Sequence, residues 1–126
     1  MNEIETEEAP ASIGPFSQAV RDGDRVYVSG QGPVDPESGA IVGDDITEQT
    51  HATMENIETV LEAGSSSLAD IVKSTVFVTD MDDYEEINAV YEQYVTEPYP
   101  ARSAIEVSRL PIEIGVEIDV IARVDP

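Results

Sequence analysis

The chain has 126 residues, enough for one domain with a core of its own and too few for two comfortable ones. Its 27 acidic residues against 6 basic ones give a net charge of −21, which argues against nucleic acid and anionic membranes as partners. There is no cysteine, so disulfides, thiolate nucleophiles and cysteine-held metals are excluded.

Residues 2–10 are Glu-rich and end at Pro10; they read as a frayed edge strand or a tail before a domain that fills the rest of residues 1–126. Phe16 to Arg21 and Arg25 to Ser29 are β-type runs split by Asp22-Gly23-Asp24, a hairpin signal. Gly30-Gln31-Gly32-Pro33 and Asp35-Pro36-Glu37-Ser38-Gly39 form a turn-rich loop. Asp45 with Glu48 three residues on predicts a helix start; Met54, Ile57 and Leu61 share one face of that helix, and Gly64 ends it. Ile71 to Thr79, apolar and β-branched almost throughout, predicts a central strand covered on both faces. A second helix starts near Asp82 or Asp83, aligns Tyr84, Ile87, Tyr91 and Tyr94, and stops before Pro98 and Pro100. Ala101 to Val107 and Val116 to Val124 are the last two strands, parted at Leu110-Pro111 and expected to form a hairpin. The order ββ-α-β-α-ββ predicts an α+β fold: one mixed sheet with two helices on one face. Strands apolar on both sides predict a subunit interface on the sheet.

The acidity is spread along the chain, with one lysine, Lys73, and five arginines. Such a surface suits a salt-rich cytosol, where self-repulsion is screened; an ordinary acidic protein is the plainer alternative. Under either, most carboxylates serve solvation. With no apolar span and no apolar leader at the acidic N-terminus, the expected location is the cytoplasm.

Arg102 is the residue whose chemistry is hardest to dismiss. It is a scarce cation inside a strand pattern, and a guanidinium there must be paired, hold an anion, or reach water. Its planar fork grips a carboxylate at two points. A structural pairing with Glu106 or a cross-strand carboxylate remains open beside a substrate anchor. Glu117 alternates with Val116 and Ile118, so a solvent-facing acid is the simpler reading; a role in activating water requires it to lie near Arg102. Ser29-Gly30-Gln31 ends a strand in a loop where backbone N–H groups can approach a carboxylate, although an ordinary turn has the same pattern. With only Gly30 and Gly32 and no helix directly following, it is no phosphate loop. Asn88 lies one turn from Tyr84 and Tyr91, where a structural amide is the simpler reading. His51, the one histidine, reads as a solvated surface residue, and Asp80, Asp82 and Asp83 read as helix caps and not a calcium loop.

Taken together, several segments resemble the RidA/YjgF/YER057c/UK114 family of small imine deaminases. They are Ala9-Pro10-Ala11-Ser12-Ile13-Gly14-Pro15-Phe16-Ser17-Gln18, Val28-Ser29-Gly30-Gln31, Asp70 to Val78, Ile87-Asn88, Pro100-Ala101-Arg102-Ser103, Val107 to Pro111, and Val116-Glu117-Ile118. The resemblance implies a chorismate-mutase-like subunit in a homotrimer with active sites between subunits. It also implies hydrolysis of 2-imino acids and their enamines to 2-oxo acids and ammonia, without cofactor or metal. By position, Arg102 matches the family's carboxylate-gripping arginine and Glu117 its acid near the reacting centre. Phe16, Ser29, Gly30, Gln31, Asn88 and Ala104 fall at substrate-pocket positions. Phe16 replaces the tyrosine and Ala104 the cysteine found in many members, so neither a phenol nor a thiol is available there. The competing expectation is a non-catalytic module of the same trimeric fold that binds small carboxylates or 2-oxo acids.

Overall fold

The computed structural model describes residues 1–125. The first helix, α1 (Ile46–Ala63), begins where Asp45 and Glu48 predict: the Asp45 side chain accepts the Glu48 N–H at 2.8 Å, and the Glu48 carboxylate accepts the Asp44 N–H at 3.1 Å. Met54, Ile57, Val60 and Leu61, on its inner face, are fully buried. Gly64 ends the helix with φ −92°, and the left-handed residue of the cap is the next one, Ser65 (φ 63°), whose turn is closed by Ser66 N–H donating to the Leu61 carbonyl at 2.8 Å. Gly64 is small for packing: a Cβ there would stand 2.7 Å from Ile4 Cδ1. Replacing Asp45 with alanine should cost about 1 kcal/mol, read as a lower denaturant midpoint with an unchanged slope.

The strands are β1 (Asn2–Ile4), β2 (Ala19–Asp22), β3 (Arg25–Gln31), β4 (Ile71–Val78), β5 (Ala101–Glu106) and β6 (Val116–Arg123), with α2 (Tyr84–Tyr91) between β4 and β5. They form one mixed sheet in the order β1-β2-β3-β6-β4-β5. The N-terminal acidic run is therefore an edge strand at its start, paired antiparallel to β2 and anchored by buried Ile4. The β2–β3 hairpin forms as expected. The last two strands do not form a hairpin. β6 inserts antiparallel between β3 and β4, and β5 lies parallel to β4 at the far edge. A parallel pair needs a crossover connection, which α2 supplies, and the segment 107–115 is long enough to carry the chain past β4.

Both helices cover one face of the sheet, where Val26, Val28, Val76, Val78, Val116, Ile118, Val120 and Ala122 meet α1 and α2. The other face has no covering layer among the described residues, so β4 is buried on one side and only half-buried on the other, short of the two-sided cover expected of it. Cross-strand register places Tyr27, Ile121, Lys73, Thr75, Phe77, Asp119, Glu117 and Ile105 on this open face. Among the described residues there are two salt bridges, Arg25–Asp24 at 3.1 Å and Arg123–Asp70 at 4.0 Å, so most of the carboxylates are left to water and counterions. Among the described residues no helix is long and apolar enough to cross a membrane.

Candidate functional site

Parallel pairing sets Arg102 opposite Ser74, and Ser74 is fully buried on the helix-covered face. Arg102 therefore projects towards α2 from the sheet's edge. Its Nη2 donates to the Tyr84 hydroxyl at 2.9 Å. Its Cζ stands 4.9 Å from the Tyr91 ring centroid and 5.5 Å from that of Tyr84. Tyr91 is in turn fixed by a hydroxyl contact of 2.8 Å with Ser74. Burial pushes the Tyr91 phenol up from its ordinary value, opposed by the Ser74 hydrogen bond and the Arg102 charge.

No carboxylate pairs with Arg102 among the described residues. Glu106, the expected strand partner, accepts the Met81 N–H at 2.8 Å. The guanidinium borders a cavity of about 320 Å³ lined also by Asn88, Tyr91, Glu92, Val95, Tyr99 and Pro100. An unpaired fork held against two aromatic rings, with donors left free beside a largely apolar cavity, is arranged to receive a small carboxylate. The i, i+4, i+7 spacing of Tyr84, Asn88 and Tyr91 carried this signal in the sequence, but the stripe reads there as core.

Glu117 is elsewhere. It alternates with the buried Val116 and Ile118, so it stands on the open face, opposite Phe77 of β4. Beside it runs Gly30, in a stretch of β3 where the register to β6 shifts; a Cβ on Gly30 would lie 2.7 Å from the Glu117 carboxyl carbon. Burial, and secondarily the charge of Asp119 two residues on, raises the Glu117 carboxyl above its ordinary value. Arg102 and Glu117 thus lie on opposite faces of the sheet with β4 between them, and a single chain does not bring them together.

The remaining candidates divide between the two faces. Ala104 lies on the Arg102 face, half-buried against the core. Ser29 donates to the Ser17 carbonyl at 2.6 Å, which fixes the loop before β2. Gln31 is buried, its amide 3.4 Å from the Ser29 carbonyl. Phe16 is 53% exposed and lines a separate crevice with the acidic N-terminal segment. His51 is not the solvated residue its neighbours suggest: its Nδ1 lies 2.8 Å from the Tyr94 hydroxyl. That partner is 43 positions away, out of reach of local pattern. Asp80 caps as expected, accepting the Asp82 N–H at 2.9 Å. Among the described residues no three His, Asp or Glu side chains converge so as to hold a metal ion.

Comparison with known proteins adds to this geometry. A profile described as endoribonuclease L-PSP matches residues 6–124. A RutC family protein of Pyrococcus abyssi is 50% identical over 119 residues, covering 94% of each chain. A 2-iminobutanoate/2-iminopropanoate deaminase of Salmonella typhimurium is 48% identical over 122 residues, again 94% of each. Among solved structures, that of E. coli TdcF with bound serine superposes with a TM-score of 0.93 at 41% identity, covering 99% of this chain and 100% of that one.

Proposed function

This chain belongs to the endoribonuclease L-PSP family, in the RidA/YjgF group its sequence resembles, and from that premise we propose that it hydrolyses small 2-imino acids to 2-oxo acids and ammonia. The observation that carries the reading is the unpaired Arg102 fork, held by Tyr84 and Tyr91 at the wall of a small cavity in a chain otherwise dominated by carboxylates. The deaminase relative supports the reaction class, and the serine bound to TdcF is a small ligand with a carboxylate such as this site would take.

The chemistry needs little from the protein. A protonated imine carbon is already electrophilic, so holding the substrate's carboxylate on Arg102 and presenting a water to C2 supplies most of the advantage. The water oxygen bonds to C2 as its proton passes to the Glu117 carboxylate, giving a carbinolamine. The same proton is returned to nitrogen, the C–N bond breaks with its electron pair leaving on ammonia, and the oxygen closes to the 2-oxo acid as its second proton passes to the freed Glu117 carboxylate and from there to the ammonia, which departs as ammonium. A carboxyl whose affinity for protons is raised by burial suits both transfers.

Because Arg102 and Glu117 face apart within one chain, this mechanism requires a second copy. The β5 edge of one chain set against the open face of the next would bring Arg102 to the Gly30–Glu117 segment. The apolar Tyr27 and Ile105, 42% and 45% exposed on that face, support such docking. Closing the arrangement as a ring gives the homotrimer we propose, with three equivalent intersubunit sites. Sedimentation tests it; a clean monomer with full activity would overturn it.

The direct assay generates 2-aminoacrylate with a serine dehydratase in concentrated KCl and follows 2-oxo acid release. No acceleration over the spontaneous reaction would leave the carboxylate-binding module as the remaining reading. Tyr84→Phe should raise KM about fivefold with kcat nearly unchanged, the effect of one lost hydrogen bond to the anchor.

A further inference from the structure

The inward side of β4 carries Ile71, Ser74, Val76 and Val78, all of them buried. Ser74 is the one polar residue of the four, and it has no exposure to solvent at all. The other buried polar side chains among the described residues, Gln18, Gln31, Thr50, Thr53, Asn56 and Ser66, each bond to the backbone. Ser74 instead meets a side chain: its hydroxyl lies 2.8 Å from that of Tyr91, which is itself buried. Stability is a poor reason for this pair. Two hydroxyls that satisfy each other can be replaced together by apolar groups of the same shape at little or no cost, as an alanine facing a phenylalanine would be here. What the pair does supply is an angle, because it pins the far end of the Tyr91 ring to the sheet.

The angle matters because of what the ring carries. Parallel register sets Ser74 beside Arg102. Tyr91, reaching down from α2, ends its hydroxyl on the first and sets its ring 4.9 Å from the guanidinium carbon of the second. The other hold on the guanidinium is the hydroxyl of Tyr84, a residue 36% exposed at the start of α2. A guanidinium steered by one exposed hydroxyl alone swings about it, whereas a ring fixed at its far end gives the fork a wall. Ser74 does not line the cavity beside Arg102. We propose that Ser74 is a positioning residue: through Tyr91 it fixes the plane of the Arg102 fork, and so the place where a bound carboxylate puts the carbon to be attacked. The consequence for rate rests on the deaminase reading, but the fixed fork does not.

Two measurements on the intact protein test this. The first needs no turnover: nitrogen relaxation of the arginine Nε–H groups, with the Arg102 signal assigned by its loss in Arg102→Lys. The Arg102 order parameter should lie near the value of rigid backbone, about 0.85, in wild type and fall below about 0.6 in Ser74→Ala. The second is steady-state kinetics. Ser74→Ala should lower kcat about tenfold with KM within about twofold of wild type, because the charge still collects the carboxylate but presents it at scattered angles. Ser74→Thr keeps the hydroxyl and should restore both readings. The double variant Ser74→Ala, Tyr91→Phe leaves no orphaned hydroxyl, so it should melt at or above the wild-type temperature and still keep the same tenfold defect. A purely structural role would instead return kcat along with stability. If Ser74→Ala does not fold, the double variant carries both measurements. A rigid Arg102 or a wild-type kcat in either folded variant overturns the proposal. With Arg102→Ala inactive, such a result leaves the deaminase reading standing. If wild type hydrolyses no imine, that reading falls, and the order parameters still decide whether Ser74 fixes the fork.

Discussion

Arg102→Ala should lower kcat/KM for 2-iminopropanoate by about a hundred- to ten-thousandfold, the loss of two charge-assisted hydrogen bonds worth about 1.5–3 kcal/mol each. Stability should barely move, because Arg102 makes no ion pair that its removal would orphan, only a hydroxyl contact and the faces of two rings. Lysine should rescue poorly, since a point charge does not reproduce the fork. Steady-state kinetics beside a thermal melt checks both halves. A variant with wild-type kcat/KM would remove the carboxylate anchor and the mechanism with it.

Glu117→Gln should cost about a hundred- to ten-thousandfold in kcat, the range of a positioned acid–base group. Its effect on stability should have the opposite sign. Burial, reinforced by Asp119, raises the folded-state pKa of Glu117 above its ordinary value. A carboxyl raised in this way favours the folded state fully below the unfolded pKa, and that contribution is lost as pH rises through the folded pKa. At neutral pH the ionised group is therefore a liability, and the neutral glutamine should melt at the same temperature or higher. In wild type, kcat/KM should climb with pH through the raised Glu117 value, and this limb should vanish in the variant. Co-expressing the Arg102→Ala and Glu117→Gln chains gives a sharper result. If each site takes its arginine from one subunit and its glutamate from the next, random trimers regain about a quarter of the sites, whereas sites confined to one chain regain none.

How far the sequence could be read differs by element. α1 was legible from Asp45 through Gly64, because a side-chain cap and a 3.6-residue apolar stripe are local signals. The helix-facing side of β6 was legible from alternation, whereas β4, apolar almost throughout, read as covered on both faces when its second face is only half-buried. Strand neighbours were not legible: alternation tells a strand which side is inward but not beside whom it lies, so β5 and β6 read as a hairpin when β4 stands between them. The same gap hid the relation of Arg102 to Glu117. Each residue's type pointed to its chemistry, but which faces they occupy relative to one another is fixed by two registers through β4. The tyrosine cradle was half legible, since the stripe of Tyr84 and Tyr91 was evident and its cation was not.

The insertion of β6 between β3 and β4 also bears on how the chain is made. On the ribosome, residues 25–31 and 71–78 emerge well before residues 116–123 exist, so the nascent chain carries two partial sheets with the strand that joins them still missing. Each part then shows an edge of unpaired N–H and C=O groups, the surface on which chains pair with the wrong neighbour. The carboxylates already synthesised give such chains a common negative charge, so two open edges that come within contact distance repel before they pair. The acidity that solvates the finished protein thus also shields the unfinished one, over the interval when its sheet is open down the middle.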